Sequence, residues 1–200
     1  MSVLTPGKKI RIDYNYLIFN DMKKIVLLSD THGFMDDRFL PHCKGADEIW
    51  HAGDIGERGI IEQLSDLAPV KAVYGNIDGH PLRHELPEWL EWETEQVKVL
   101  MTHIGGRPPK FVGEVKDKIA SSKPAIFVCG HSHILLVQFY AGLNCLHLNP
   151  GAAGRSGWHK VQTLLKFCIE GTDIRNMEVI ELKRKPLAGE QDTTFQEKEV

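Results

Sequence analysis

The 200-residue chain contains no CxxC pair, no long apolar run and no marked surplus of either charge, and each absence narrows what it can be. Cys43, Cys129, Cys145 and Cys168 are far apart and lie in or beside apolar runs, so they read as buried reduced thiols rather than disulfides or a thiolate metal site. No segment reaches the roughly 18 apolar residues of a membrane helix, and the first twenty residues lack the apolar stretch of a signal peptide. The expected location is cytoplasmic, with no membrane partner. Neither the formal charge of -3 nor any Lys/Arg cluster supplies the basic groove that a nucleic-acid partner favours, so nucleic acid is a disfavoured partner. There is no internal repeat and no low-complexity segment. What remains, 42% hydrophobic and 26% charged residues over this length, can bury one core and fits one domain.

Residues 1–21 stand apart, because MKKIVLLSDTHG beginning at Met22 reads as a natural start: charge, a buried strand, then a polar loop. They are taken as an extension or an over-called translation start, with the domain at 22–184. Residues 185–200 have few apolar side chains and no period, and are expected to be disordered. Inside the domain, strands are expected at 24–28, 48–51 and 70–74 and helices at 36–43 and 57–67. This βαβαβ pattern favours parallel pairing and gathers loops at the strands' C-terminal edge. Then follow a hairpin (92–95 and 97–102), a helix at 112–121, a buried strand at 125–129 and four more strands at 134–140, 143–148, 161–169 and 174–182. The second half therefore reads as a mostly antiparallel sheet.

The first five strong strands all run into metal-competent residues: Asp30 and His32, Asp54, Asn76, His103, and His131 with His133. Carboxylate, amide and imidazole donors in this mixture suit Mn, Fe, Zn or Co better than Ca or thiolate-bound zinc. Gly33, Gly53, Gly75 and Gly130 sit among them, where tight turns let the backbone approach an ion. The i, i+2 spacing of Asp30 with His32, and of His131 with His133, lets one short loop present two ligands.

In order, the blocks are Asp30-Thr-His32, Gly53-Asp54, Gly75-Asn76-Ile-Asp78, His103 and Gly130-His131-Ser-His133. They resemble the signature of the calcineurin-like metallophosphoesterase superfamily over about residues 22–182. His51 in HAGD and the Asn149-Pro150-Gly151 turn are similar to its small bacterial YfcE-like phosphodiesterase branch. The resemblance implies an α/β sandwich of two mixed β-sheets flanked by helices. It also implies hydrolysis of a small phosphodiester by a hydroxide bridging two divalent ions, Mn being favoured over Ni, Zn, Fe or Mg. Asp30, His32 and His133 would hold one ion, Asn76, His103 and His131 the other, and Asp54 would bridge; the catalytic roles fall to Asp54, Asn76 and His103.

One position departs from many family members, which carry a proton-donating His after the Gly-Asn pair where this chain has Ile77. A general acid is typically worth about 10² to 10⁴ in rate, so activated aryl diesters are favoured over alkyl esters. Asp78 is expected to hydrogen-bond a metal-ligating imidazole. His51, His42, His80, His84, His147 and His159 read as ordinary core or surface residues, and Ser132 lacks a nucleophile elbow. Residues 151–157 (GAAGRSG) with Arg155 read as a strand-joining turn ahead of a phosphate cradle. Arg107 has a similar claim as a substrate contact. Trp89, Leu90 and Trp92 read as core or as a patch for a homo-oligomer. The rival functions are a phosphomonoesterase or nuclease using the same site, and a protein-binding scaffold like the retromer subunit with a vestigial metal site.

Overall fold

The computed structural model describes residues 22–108 and 110–184. The expected extension at 1–21 and the expected tail at 185–200 lie outside the described residues. In chain order the strands are β1 (Lys23–Leu28), β2 (Glu48–His51), β3 (Val70–Ala72), β4 (Trp89–Thr94), β5 (Val97–Thr102), β6 (Gly106–Arg107), β7 (Lys110–Phe111), β8 (Ile126–Val128), β9 (Leu135–Tyr140), β10 (Cys145–Pro150), β11 (Val161–Glu170) and β12 (Asp173–Lys183). The helices are α1 (Leu40–Cys43), α2 (Arg58–Ser65), α3 (Leu82–Glu85) and α4 (Val115–Ser122). None of the described helices is long and apolar enough to cross a membrane.

Two five-stranded mixed sheets form, ordered β12-β11-β1-β2-β3 and β4-β5-β8-β10-β9. Period-2 alternation in β1 explains how they stack. Ile25 and Leu27 face the second sheet with Trp50, Val99, Met101 and Val128, while Val26 and Leu28 face outward onto Ile60 and Leu64 of α2. Val115 and Ile119 of α4 cover Leu100 and Phe127 on the far face of the second sheet. The result is a four-layer α/β sandwich whose inner strands, such as β1, β8 and β11, are covered on both faces and so read as nearly continuous apolar runs, while the edge strands β9 and β12 are largely exposed.

The expected mostly antiparallel second half holds for β4 with β5, β9 with β10 and β11 with β12, but these strands do not form one sheet and the centre is parallel. β5, β8 and β10 are parallel neighbours, and β11 with β12 returns to the first sheet, where β11 pairs antiparallel with β1. Periodicity marks β11 as apolar on both faces but is silent on its neighbour; burial between β1 and β12 supplies the reason for that pattern. The tryptophan cluster belongs to the core: the Trp92 ring meets Trp50 edge-on at 4.9 Å, and Lys118 lies 4.9 Å over Trp89. Phe167 completes the cluster, 5.4 Å from Trp50 and 1% exposed. Phe167→Ala is expected to lower the unfolding free energy by about 3–5 kcal/mol, measured by urea denaturation. Replacing the fully exposed Trp158 by Ala should change it by less than about 0.5 kcal/mol.

Candidate metal centre

Asp30, His32, Asp54, His131 and His133 all have left-handed backbone conformations, with φ of 55°, 48°, 52°, 67° and 56°. For residues with a Cβ this costs about 1–2 kcal/mol each, so the surroundings must enforce it. A ladder of amide bonds does so: Asp30 N–H donates to Gly53 O at 3.0 Å, His32 to Asp54 O at 3.0 Å, and Gly33 to Ile55 O at 2.7 Å. Two glycines are obligatory on grounds of space. A Cβ at Gly75 would strike the Asp54 carboxylate, and one at Gly130 would strike Ser29 Oγ and Asp30 Oδ2.

These loops bring all seven expected ligands together in two adjoining groups. Nitrogen and oxygen atoms of Asp30, His32 and His133 form one, and those of Asp54, His103 and His131 the other, with every atom of a group within 4.8 Å of its fellows. Within the first, His133 Nε2 lies 3.2 Å from Asp30 Oδ1 and 3.2 Å from His32 Nε2. In the second, His103 Nε2 is 3.2 Å from Asp54 Oδ1 and 3.1 Å from Asn76 Oδ1. Asp54 faces both groups, since its Oδ2 is 3.6 Å from His32 Nε2. Such spacings match the edges of a coordination shell with bonds of about 2.0–2.2 Å.

The residues fit divalent ions on their own chemistry. Asp30 Oδ2 accepts the His131 amide at 3.1 Å, whereas Oδ1 is buried with no hydrogen-bond partner, its His133 contact lacking the alignment of a hydrogen bond. A buried, partnerless carboxylate oxygen among converging imidazole nitrogens is costly unless a cation satisfies it. Protons respond to the same field. Burial pushes His103 down, but Asp54 and Asp30 outweigh it and leave the imidazole raised. Burial pushes Asp54 up, but the His103 contact and the Ile77 amide outweigh it and leave the carboxyl lowered. For His32, burial outweighs the attraction of Asp54 and Asp30, and its pKa falls.

A surrounding set of contacts orients these groups. His103 Nδ1 is 2.8 Å from Ala52 O; donating there leaves Nε2 with its lone pair facing the site. His51 Nδ1 accepts the Gly53 amide at 3.3 Å, which places the proton on Nε2, 3.0 Å from Thr31 Oγ1; Thr31 in turn donates to Ile55 O at 2.9 Å. Asp78 corrects the expectation placed on it. It accepts the amides of Ile55, Gly56 and Gly75 at 3.1, 2.7 and 2.7 Å, tying the Asp54 loop to the Asn76 loop instead of touching an imidazole. The free backbone donors in two tight turns are the stronger demand on a carboxylate.

Asn149, noticed in the sequence only as part of a turn, donates to Gly130 O at 2.8 Å and Ser132 Oγ at 3.1 Å, clamping the His131–His133 loop. Ser132 is thereby a structural hydroxyl, which also accepts the Ile134 amide at 3.3 Å. The amides of Ala153 and Gly154 are spent on Ser29 O and Asp30 O, and Arg155 stacks 3.5 Å over the Phe34 ring, so residues 151–157 buttress the Asp30 loop. His159 sits beside the centre, its ring 5.3 Å from that of His133, a neighbour that sequence spacing did not suggest. His147 is core, its Nε2 3.2 Å from Cys129 Sγ. His42, His80 and His84 lie outside both groups.

A model of the calcineurin-like phosphoesterase superfamily domain matches residues 22–172. The chain belongs to that superfamily. Among curated relatives, one named "Probable metallophosphoesterase" from Methanothermobacter thermautotrophicus is 28% identical over 135 residues, 64% of this chain and 76% of that protein. Among solved structures, an archaeal protein described as a phosphodiesterase has a TM-score of 0.56 at 23% identity, over 78% of this chain and 99% of that one. Vps29 from Entamoeba histolytica, solved with zinc, has a TM-score of 0.65 at 16% identity, over 81% and 99%. At those identities the structural likeness establishes the shared fold.

Burial of two histidines predicts a loss of stability in acid. Burial pushes His51 and His147 down to about 4 from 6.5. A His with a lowered folded pKa contributes full stability above 6.5 and loses it as pH falls toward 4, because the unfolded chain binds the proton first. Each ring should cost about 1.4 kcal/mol per pH unit across that window. His32 and His159 shift the same way, and His103 alone the opposite way. Urea denaturation of chelator-treated protein should show stability falling from pH 6.5 to 4, with a shallower slope in His147→Leu.

Proposed function

We propose that this protein hydrolyses phosphodiesters, using two divalent ions held by Asp30, His32, Asp54, Asn76, His103, His131 and His133. The observation carrying this reading is the pair of adjoining donor groups, one enclosing the unsatisfied Asp30 Oδ1 and the other containing Asp54, whose Oδ2 lies 3.6 Å from His32 of the first. Two divalent ions there, Mn being favoured, would acidify water and neutralise phosphate charge, the two requirements of in-line displacement at phosphorus.

The chain's own residues supply the rest. Asp54, Asn76 and His103 form the floor, with His103 held in one tautomer by Ala52 O and Asn76 oriented by its loop's ties to Asp78 and to Arg83, which donates to Gly75 O at 3.2 Å. Beside Asn76, Ile77 is 45% exposed and offers no proton. A leaving group passing that position must depart as the anion, which favours aryl and otherwise activated esters. A monoester would bring one more negative charge to a site already holding two carboxylates. A cavity of about 550 Å³ opens beside His131, with room for the second organic arm that distinguishes a diester.

The test compares bis(p-nitrophenyl) phosphate with p-nitrophenyl phosphate, using chelator-stripped protein with Mn, Ni, Zn or Mg added back. Metal-dependent turnover favouring the diester is expected. Asp54→Ala should reduce it by more than the roughly 10–100-fold that loss of a merely supporting contact costs. Preference for the monoester would replace this reading by a phosphomonoesterase, and a folded protein inactive with every metal would favour the scaffold.

A further inference from the structure

Two cavities flank the candidate metal centre, and their walls differ in chemistry. The one beside Asn76 and His103, about 370 Å³, carries Glu88 and Glu114 along with Arg83. The one beside His131, about 550 Å³, has no acidic residue in its lining. Its apolar lining comprises Ile104, Val112, Ile134, Leu135 and Leu136. Ile134 and Val112 are 65% and 49% exposed, a degree of apolar exposure that a ligand's burial would relieve.

Arg107 and Lys110, paired across the β6–β7 ladder, stand at the end of this cavity and also line the adjoining one with Gln138 and Tyr140, about 370 Å³. Neither cation has an acidic partner among the described residues. His147 adds a polar point to the same lining, 2% exposed and with a buried Nδ1 that has no partner. The lining of one cleft thus combines a candidate metal ligand, an apolar wall and two cations without acidic partners among the described residues.

We infer that this cleft seats the non-reacting arm of the substrate, and that the arm is an apolar group ending in a second anion, a phosphate or a carboxylate. The inference rests on the phosphodiesterase reading for the phosphate end, and the cleft itself supplies the rest. The apolar walls remove the arm's surface from water, and Arg107 and Lys110, both exposed, pair with its terminal charge through charge-assisted hydrogen bonds. Glu88 and Glu114 repel the same charge from the opposite cavity, so the diester is held in one direction, with its leaving group on the Asn76 side. Arg107, weighed in the sequence as a substrate contact against a solvated surface charge, is joined here by Lys110, which pairs with it across the ladder.

The test uses phosphonates, which have no ester bond to cleave, so that binding is read independently of hydrolysis. Benzylphosphonate, 4-carboxybenzylphosphonate and p-xylylenediphosphonate are titrated calorimetrically into the Mn-supplemented full-length protein. The two dianionic-ended probes should bind about tenfold tighter than benzylphosphonate, the factor one charge-assisted hydrogen bond supplies. The tighter of the two identifies the terminal anion as carboxylate or phosphate. In the double variant Arg107→Ala/Lys110→Ala the three should bind alike, and in Arg107→Glu/Lys110→Glu the order should invert. Equal binding of all three by the unaltered protein, or a preference that survives the double variant, overturns the subsite. If the preference holds while no ester is hydrolysed with any metal, the phosphodiesterase reading fails and the anion-reading cleft stands.

Discussion

A carboxylate oxygen buried without a partner, at the centre of converging imidazoles, is the constraint on which the arrangement of this protein depends. Asp30 Oδ1 occupies that position while its sister oxygen is fixed by the His131 amide. In a fold of marginal stability such a group is a liability worth several kcal/mol. It persists because the strands on either side leave the loop no alternative. β1 delivers Asp30 from the interior of the first sheet, and the carbonyls of residues 53 and 55 and the amide of residue 154 are interlocked with the same turn. The left-handed backbone at five of the seven positions belongs to the same economy, local strain held in place by surrounding hydrogen bonds.

The same logic explains why polar residues with no direct claim on an ion are buried. Asp78 and Asn149 each join two chain segments through backbone groups, and His51 with Thr31 forms a third tie beneath the Asp54 turn. Each accepts or donates where a tight turn would leave amides or carbonyls unsatisfied. The two sheets meet over Trp50, Trp92 and Phe167, and that packing sets the separation across which His103 and His131 from one sheet face Asp30 and Asp54 from the other. Core packing and site geometry are thus one mechanical system.

Much of this was legible in order along the chain. Strands ending on Asp, His or Asn, with glycine beside them, exposed the donor set, because a residue just past a strand must leave the sheet at its edge and the donor types are chemically distinctive. The first three strands and the helices between them were legible for the same reason that buried strands are apolar throughout. Asp78 and Asn149 were misread or passed over because a backbone amide two turns away leaves no mark in the sequence, and an Asp near a ligand motif reads equally well as an imidazole partner. His159 was passed over because nothing in its spacing relates it to His133; only the fold brings the two rings together.

By itself the sequence determined the donor types, their order, the missing proton donor at Ile77 and the positions of most strands, since these follow from side-chain chemistry and hydrophobic period. Tertiary structure alone decided which sheet each late strand joins and which amides Asp78 satisfies. It also decided that Arg107 and Lys110 stand at the end of an apolar cleft opening on His131. The division has a physical reason. Period and composition record how much of a residue is buried, but not against what, and a binding site is a statement about neighbours distant in the chain.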